Sequence, residues 1–175
     1  MIRLSKSAVI YFSRAEENYF DGALRYIEKG NTKVIAEKIA DETNADIFEI
    51  KMLNPYSDNY RTCTEQAKED LQKGIRPEIE MELKNLDGYN TVYLGYPNYW
   101  NTIPMPVLSA IEKFNWDGIT ICPFCTHEGS GLGCSVKDIQ KAAKGASVSE
   151  AISIYGSQRD KSDDIIKSWI GRIQK

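Results

Sequence analysis

No stretch of these 175 residues approaches the roughly 20 consecutive apolar residues that cross a bilayer, so a membrane role is not expected. The opening Met1-Ile-Arg-Leu-Ser-Lys6 has no apolar core long enough for a secretory signal, which points to the cytoplasm. Positive charge is also short: 22 Lys and Arg stand against 25 Asp and Glu, and the net charge of −3 offers no basic face for nucleic acid or anionic lipid. Only four cysteines occur, at Cys63, Cys122, Cys125 and Cys134, and a reducing cytosol makes structural disulfides unexpected. His127 is the single histidine. No serine-histidine-acid or paired-carboxylate arrangement can be argued from spacing, so hydrolytic chemistry has no support and no catalytic side chain is assigned.

Cys122-Pro-Phe-Cys125 has the spacing of a redox dithiol, but the run around it reads as a strand, in which residues three apart point to opposite faces. With His127 and Cys134 it makes a formal zinc set, C-x2-C-x-H-x6-C, without the paired-knuckle spacing of structural zinc sites. Cysteines simply packed near a ligand loop are the plainer reading, and no metal is expected.

At 42% hydrophobic, the chain suits one well-buried domain over residues 1–175. Short β-like apolar runs alternate with amphipathic helices, which predicts an α/β fold with a parallel sheet covered on both faces. The strands are expected at 7–12, 46–52, 91–96, 119–124 and 148–155. Helices are expected from Val34 to Asn44, from Thr62 to Lys73, along the face Val107, Leu108, Ile111 and Phe114, and from Val136 to Ala143. Pro104 or Pro106 can open the third of these. Ser162 caps a final helix whose single face is Ile165, Ile166, Trp169, Ile170 and Ile173. Between the second helix and third strand lies an irregular acidic stretch with Glu78, Glu80, Glu82 and Asp87, either a solvated edge or a docking face.

The run Ala8-Val-Ile-Tyr-Phe-Ser13 ends in a hydroxyl, and Gly30-Asn31-Thr32 brings a second group of polar side chains to the start of a helix. A strand delivering hydroxyls to a helix N-terminus can cradle a phosphate: unpaired N–H groups and the helix dipole attract the anion, and glycine permits close approach. A plain strand-to-helix turn is the alternative. Five strands fit a doubly wound sheet of order 2-1-3-4-5, whose ligand loops follow strands one, three and four. The loop after strand three, Pro97-Asn98-Tyr99-Trp100-Asn101-Thr102-Ile103-Pro104, sets two aromatics beside amides, suiting either a flat ligand or a core. The loop after strand four, Thr126-His-Glu-Gly-Ser-Gly-Leu-Gly133, has three glycines that let backbone N–H groups approach a ring edge.

Tyr11-Phe-Ser, Gly30-Asn-Thr, Gly95-Tyr-Pro-Asn-Tyr-Trp and Thr126-His-Glu-Gly-Ser-Gly-Leu-Gly, taken in this order, resemble the flavodoxin family over nearly the whole chain. The resemblance implies a flavodoxin-like doubly wound five-stranded sheet and FMN as cofactor. It implies that Ser13, Asn31 and Thr32 hold the phosphate, with Arg14 and Lys33 as candidate charge partners. Pro97, Asn98, Tyr99 and Trp100 would line the ribityl chain and ring, and Thr126, His127 and Gly129 would meet the flavin's polar edge. His127 has two readings, a hydrogen bond within its turn or a charge near the ring. Glu128 reads as solvent-facing, and Tyr56 and Tyr60 as anchors of the loop after strand two.

The sequence departs from short flavodoxins in an insertion, Ala15 to Lys29, that splits the phosphate loop and carries Tyr19, Phe20 and Tyr26. It is either a hairpin lid or an aromatic-pinned surface loop. The charge is also less acidic than that of carrier flavodoxins. An electron carrier between a reductase and an acceptor protein is the leading expectation, because Gly129-Ser-Gly-Leu-Gly lacks the dinucleotide spacing G-x-G-x-x-G. The alternatives are an NAD(P)H-dependent quinone or nitro-compound reductase, and a flavin-free scaffold.

Overall fold

A computed structural model describes residues 5–175, and the opening residues 1–4 of the segment read as lacking a signal core lie outside the described residues. The first apolar run forms β1 (Lys6–Tyr11) and the insertion folds as the hairpin β2 (Glu16–Phe20) and β3 (Ala23–Ile27). There follow α1 (Asn31–Thr43), β4 (Asp46–Glu49), β5 (Lys51–Met52), α2 (Tyr60–Lys73), β6 (Ile79–Glu80) and β7 (Tyr89–Pro97). The chain continues through α3 (Met105–Ile111), β8 (Thr120–His127), α4 (Ser135–Ala142), β9 (Ser147–Val148) and β10 (Ile152–Tyr155). A 3₁₀ helix over Gly156–Lys161 leads into α5 (Asp163–Ile173).

The central sheet runs β10-β8-β7-β1-β4 with every pairing parallel. Counted among these five strands in chain order, that is 2-1-3-4-5, the flavodoxin-like doubly wound order. Alternation along each strand divides the core into two layers. Val9, Tyr11, Tyr93, Cys122 and Phe124 meet Ile35 and Ile39 of α1 and Ile166 and Trp169 of α5 on one face. Ile10, Val92, Leu94, Ile121 and Cys125 meet Val107 and Ile111 of α3 and Ile139 of α4 on the other. Cys122 and Cys125 therefore lie on opposite faces of β8, as their spacing in a strand requires, and do not form a dithiol. Gly95 keeps the first layer flush, since a Cβ there would fall 2.1 Å from the Phe124 ring.

Several expected elements differ in detail. The run 46–52 is not one strand: the Ile50 N–H donates to Tyr11 O at 2.7 Å, the chain bends, and β5 leaves the sheet to pair antiparallel with β6. Part of the acidic stretch is thus ordered, and it buries Ile79, Met81 and Leu86. The run 148–155 is likewise split, β9 being a short partner of β8 and β10 starting at Ile152. Ser162 stands at the N-cap of α5, but its hydroxyl donates to Arg159 O at 2.6 Å rather than capping the helix. Ile165 is exposed, leaving Ile166, Trp169 and Ile170 as the buried face.

Candidate functional site

The carboxyl ends of β1, β7 and β8 open into a cavity of about 610 Å³, within the usual range for a small-molecule site. Its floor begins at the turn out of β1. The Ser13 hydroxyl accepts the Lys33 N–H at 3.0 Å, and Gly30 packs against this corner so closely that a Cβ would lie 2.1 Å from Ser13 Oγ and 2.7 Å from Arg14 O. Of the first four α1 amides, Lys33 is held by Ser13 and Val34 by Gly30 O at 3.3 Å. The Asn31 and Thr32 N–H groups have no acceptor among the described residues, leaving donors and the positive helix end available to an anion.

Three of the residues expected at the phosphate are placed differently. The Thr32 hydroxyl is fully buried and shares a 2.7 Å hydrogen bond with the Thr126 hydroxyl, tying α1 to β8 rather than facing the cavity. Arg14 lines the cavity, but its guanidinium donates to the carbonyls of Glu17 (2.5 Å), Ser57 (2.8 Å) and Asp58 (2.7 Å) and to Asn18 Oδ1 (3.3 Å). These bonds engage both Nη groups and leave the buried Nε without a partner, so Arg14 works as a clamp between the hairpin and the loop before α2. Lys33 points away toward Glu49, at 3.9 Å.

The aromatic wall rises from the loop after β7. Asn98 organises it: Oδ1 accepts the Asn101 N–H at 2.9 Å, Nδ2 donates to Gly131 O at 2.7 Å, and the backbone N–H donates to Thr126 O. Trp100 and Asn101 take positive φ angles of 52° and 71°, a conformation uncommon for such residues and sustained by these bonds. The Tyr99 ring meets Phe12 edge-on at 6.1 Å, and burial raises its phenol pKa well above the ordinary value. Trp100 leans on α2, donating from Nε1 to Thr64 O at 2.8 Å beneath Lys68. Pro97, Asn98, Tyr99, Trp100, Thr126, His127 and Asn31 all line the cavity, whereas Ser13, Thr32, Lys33 and Gly129 do not.

His127 closes the end of β8. Its Nδ1 accepts the Gly129 N–H at 2.9 Å, which places the ring proton on Nε2, and its ring lies 4.5 Å from Tyr155. Burial lowers its pKa. The imidazole is thus a neutral turn-forming group, the simpler of its two readings. Glu128 is exposed, as its solvent-facing reading has it, and from there it also lines the cavity, with Oε1 accepting the Ser157 N–H at 3.1 Å.

The opposite wall was not readable from motifs. Asn18, Tyr19 and Gly22 of the hairpin and Tyr60, Cys63, Thr64 and Ala67 of α2 line the cavity. Glu17 Oε1 accepts the Tyr60 N–H at 2.9 Å, and Tyr19 packs edge-on against Tyr60 at 5.0 Å, so the inserted hairpin is fastened to α2. The aromatic content of the insertion was the only signal.

A family model described as Flavodoxin matches residues 23–173. Among curated proteins, none matches the chain. Of solved structures, a Bacteroides eggerthii protein classed as a flavoprotein is 25% identical with a TM-score of 0.75, over 98% of this chain and 99% of that one. A Lactobacillus acidophilus flavoprotein in complex with FMN is 19% identical with a TM-score of 0.62, over 90% and 97%. The apo form of an NADH:FMN oxidoreductase is 11% identical with a TM-score of 0.54, over 97% and 87%. The last two likenesses are of fold alone.

Proposed function

The chain belongs to the flavodoxin family, and from that premise we propose that it is an electron-transfer protein that works with FMN between a reductase and an acceptor protein. The residues present fit this cofactor. The unpartnered Asn31 and Thr32 amides at the start of α1 offer donors to a phosphate, the close packing at Gly30 fixes the turn that holds them, and Tyr99 and Trp100 supply flat apolar surface along the same cavity. Bound FMN supplies one- and two-electron chemistry that no side chain here offers. The protein binds and orients: Asn98 fixes the aromatic loop, Thr32 and Thr126 lock the cradle to the sheet, and the turn closed by His127 and Gly129 sets His127, Glu128 and Ser130 along the cavity.

One observation carries the choice of a carrier. Large apolar side chains left exposed gather at and beside the cavity: Tyr19 (44% exposed) and Trp100 (47%) at its lining, Leu24 and Tyr26 on the same hairpin, and Tyr155 against His127. Register puts Tyr19 opposite Leu24 and Glu17 opposite Tyr26, so these residues share one hairpin face. An apolar patch around a redox site suits docking to another protein. Direct reduction by NAD(P)H is a second reading, favoured by the inserted hairpin, whose Asn18, Tyr19 and Gly22 add a wall to the cavity that could seat a nucleotide beside the flavin.

Anaerobic mixing of the FMN-loaded protein with NADPH or NADH, followed at the visible flavin bands, separates the two. A carrier stays oxidised until a flavodoxin reductase is added. Rapid bleaching by the nucleotide alone would move the assignment to the reductase.

A further inference from the structure

Of the two cations expected at the phosphate, Arg14 lines the cavity with both Nη groups spent on the hairpin and the loop before α2, and Lys33 faces Glu49. A third one stands behind the cradle. Arg159, in the 3₁₀ helix after β10, donates from Nη1 to Asn31 Oδ1 at 3.1 Å and to Lys29 O, on either side of Gly30. Its guanidinium lies 5.3 Å from the Phe20 ring of the hairpin. Nε is buried with no hydrogen-bond partner, and Nη2 has none among the described residues. A guanidinium with one edge spent on the phosphate loop and the other unpaired keeps its positive charge largely uncompensated. No carboxylate forms an ion pair with Arg159 among the described residues, and Glu128 on the cavity rim accepts the Ser157 N–H instead.

We propose that Arg159 is the positioning residue of the phosphate cradle, which holds the Asn31 side chain in place and makes the site select the phosphorylated flavin over the unphosphorylated one. It does not line the cavity itself and acts through Asn31 and through its charge on the cradle side of the hairpin. The phosphate monoester carries nearly two negative charges at neutral pH and gains from that field, whereas riboflavin, which has the same ring and ribityl chain, does not. The proposal rests on the FMN reading given above.

The test is a pair of titrations, FMN and riboflavin, each followed by quenching of flavin fluorescence, for the wild-type protein, Arg159→Met and Arg159→Lys. Methionine keeps an apolar stem over Phe20, and riboflavin affinity reports whether the ring pocket is intact. Arg159→Met is expected to weaken FMN binding about tenfold, the scale of one partly screened charged hydrogen bond, with riboflavin binding unchanged and with a shallower salt dependence for FMN. Arg159→Lys should keep most of the preference for FMN. Equal losses for both flavins, or no change for either, would overturn the proposal while leaving FMN binding in place. A wild-type protein that binds neither flavin would overturn the FMN reading and this proposal with it.

Discussion

Replacing Gly30 with alanine tests the geometry on which the phosphate cradle depends. Gly30 has an ordinary φ of −62°, so conformation is not the obstacle and space is. The new methyl would sit 2.1 Å from Ser13 Oγ and 2.7 Å from Arg14 O. The hydroxyl can rotate away, but it then gives up the Lys33 N–H, a loss of about 1 kcal/mol. The Arg14 carbonyl is backbone, and crowding it costs about 1–3 kcal/mol. Together these predict about 2–4 kcal/mol of lost stability, and about 5–15 °C in Tm for a chain of this size. Urea unfolding of the apo protein, followed by tryptophan fluorescence, measures it. FMN affinity should fall at least tenfold in parallel, about 1.4 kcal/mol or more. The double variant Ser13→Ala/Gly30→Ala removes one of the two clashes and should recover only part of the loss. Wild-type stability and affinity in Gly30→Ala would refute the close packing.

Trp100→Ala should weaken FMN binding and shift the reduction midpoints measured by dye-coupled titration, and unchanged values for both would remove Trp100 from the site. Thr32→Val leaves Thr126 Oγ1 without its buried partner and should cost about 1–2 kcal/mol in urea unfolding, with Thr32→Val/Thr126→Val costing less than the sum of the two single changes. Its effect on FMN affinity should be small, because the hydroxyl does not face the cavity. Burial holds His127 below its usual pKa of 6.5, so the unfolded chain takes up the proton first as pH falls. Stability is therefore complete above pH 6.5 and declines below it. His127→Asn should flatten that acid limb in unfolding curves recorded between pH 7.5 and 5.

The sheet and its order were legible because each strand is a contiguous apolar run and each crossover carries an amphipathic helix, patterns that local sequence encodes directly. The bend at Ile50 was not, since it depends on a hydrogen bond to Tyr11 and on pairing with Ile79–Glu80, residues far along the chain. Ile165 was assigned to the buried face by periodicity alone, yet the stripe that meets the sheet passes through Ile166, Trp169 and Ile170. At the candidate site, motif order pointed to two loops and a helix end that line one cavity. What side chains do within them is settled by tertiary neighbours: Arg14 is claimed by the loop at Ser57 and Asp58, Thr32 by Thr126, and Arg159 arrives from a separate 3₁₀ helix. The insertion advertised its aromatics, but only its contact with Tyr60 showed which element it fastens to.

The most direct test of the central claim is an amide NMR titration of the ¹⁵N-labelled apo protein with FMN. The cradle and loops described above predict one-to-one binding with the largest shifts at Asn31, Thr32, Asn98 to Asn101 and His127 to Gly131, and with further shifts at Tyr19 and Tyr60. No binding, or shifts confined to residues outside these loops, would contradict it.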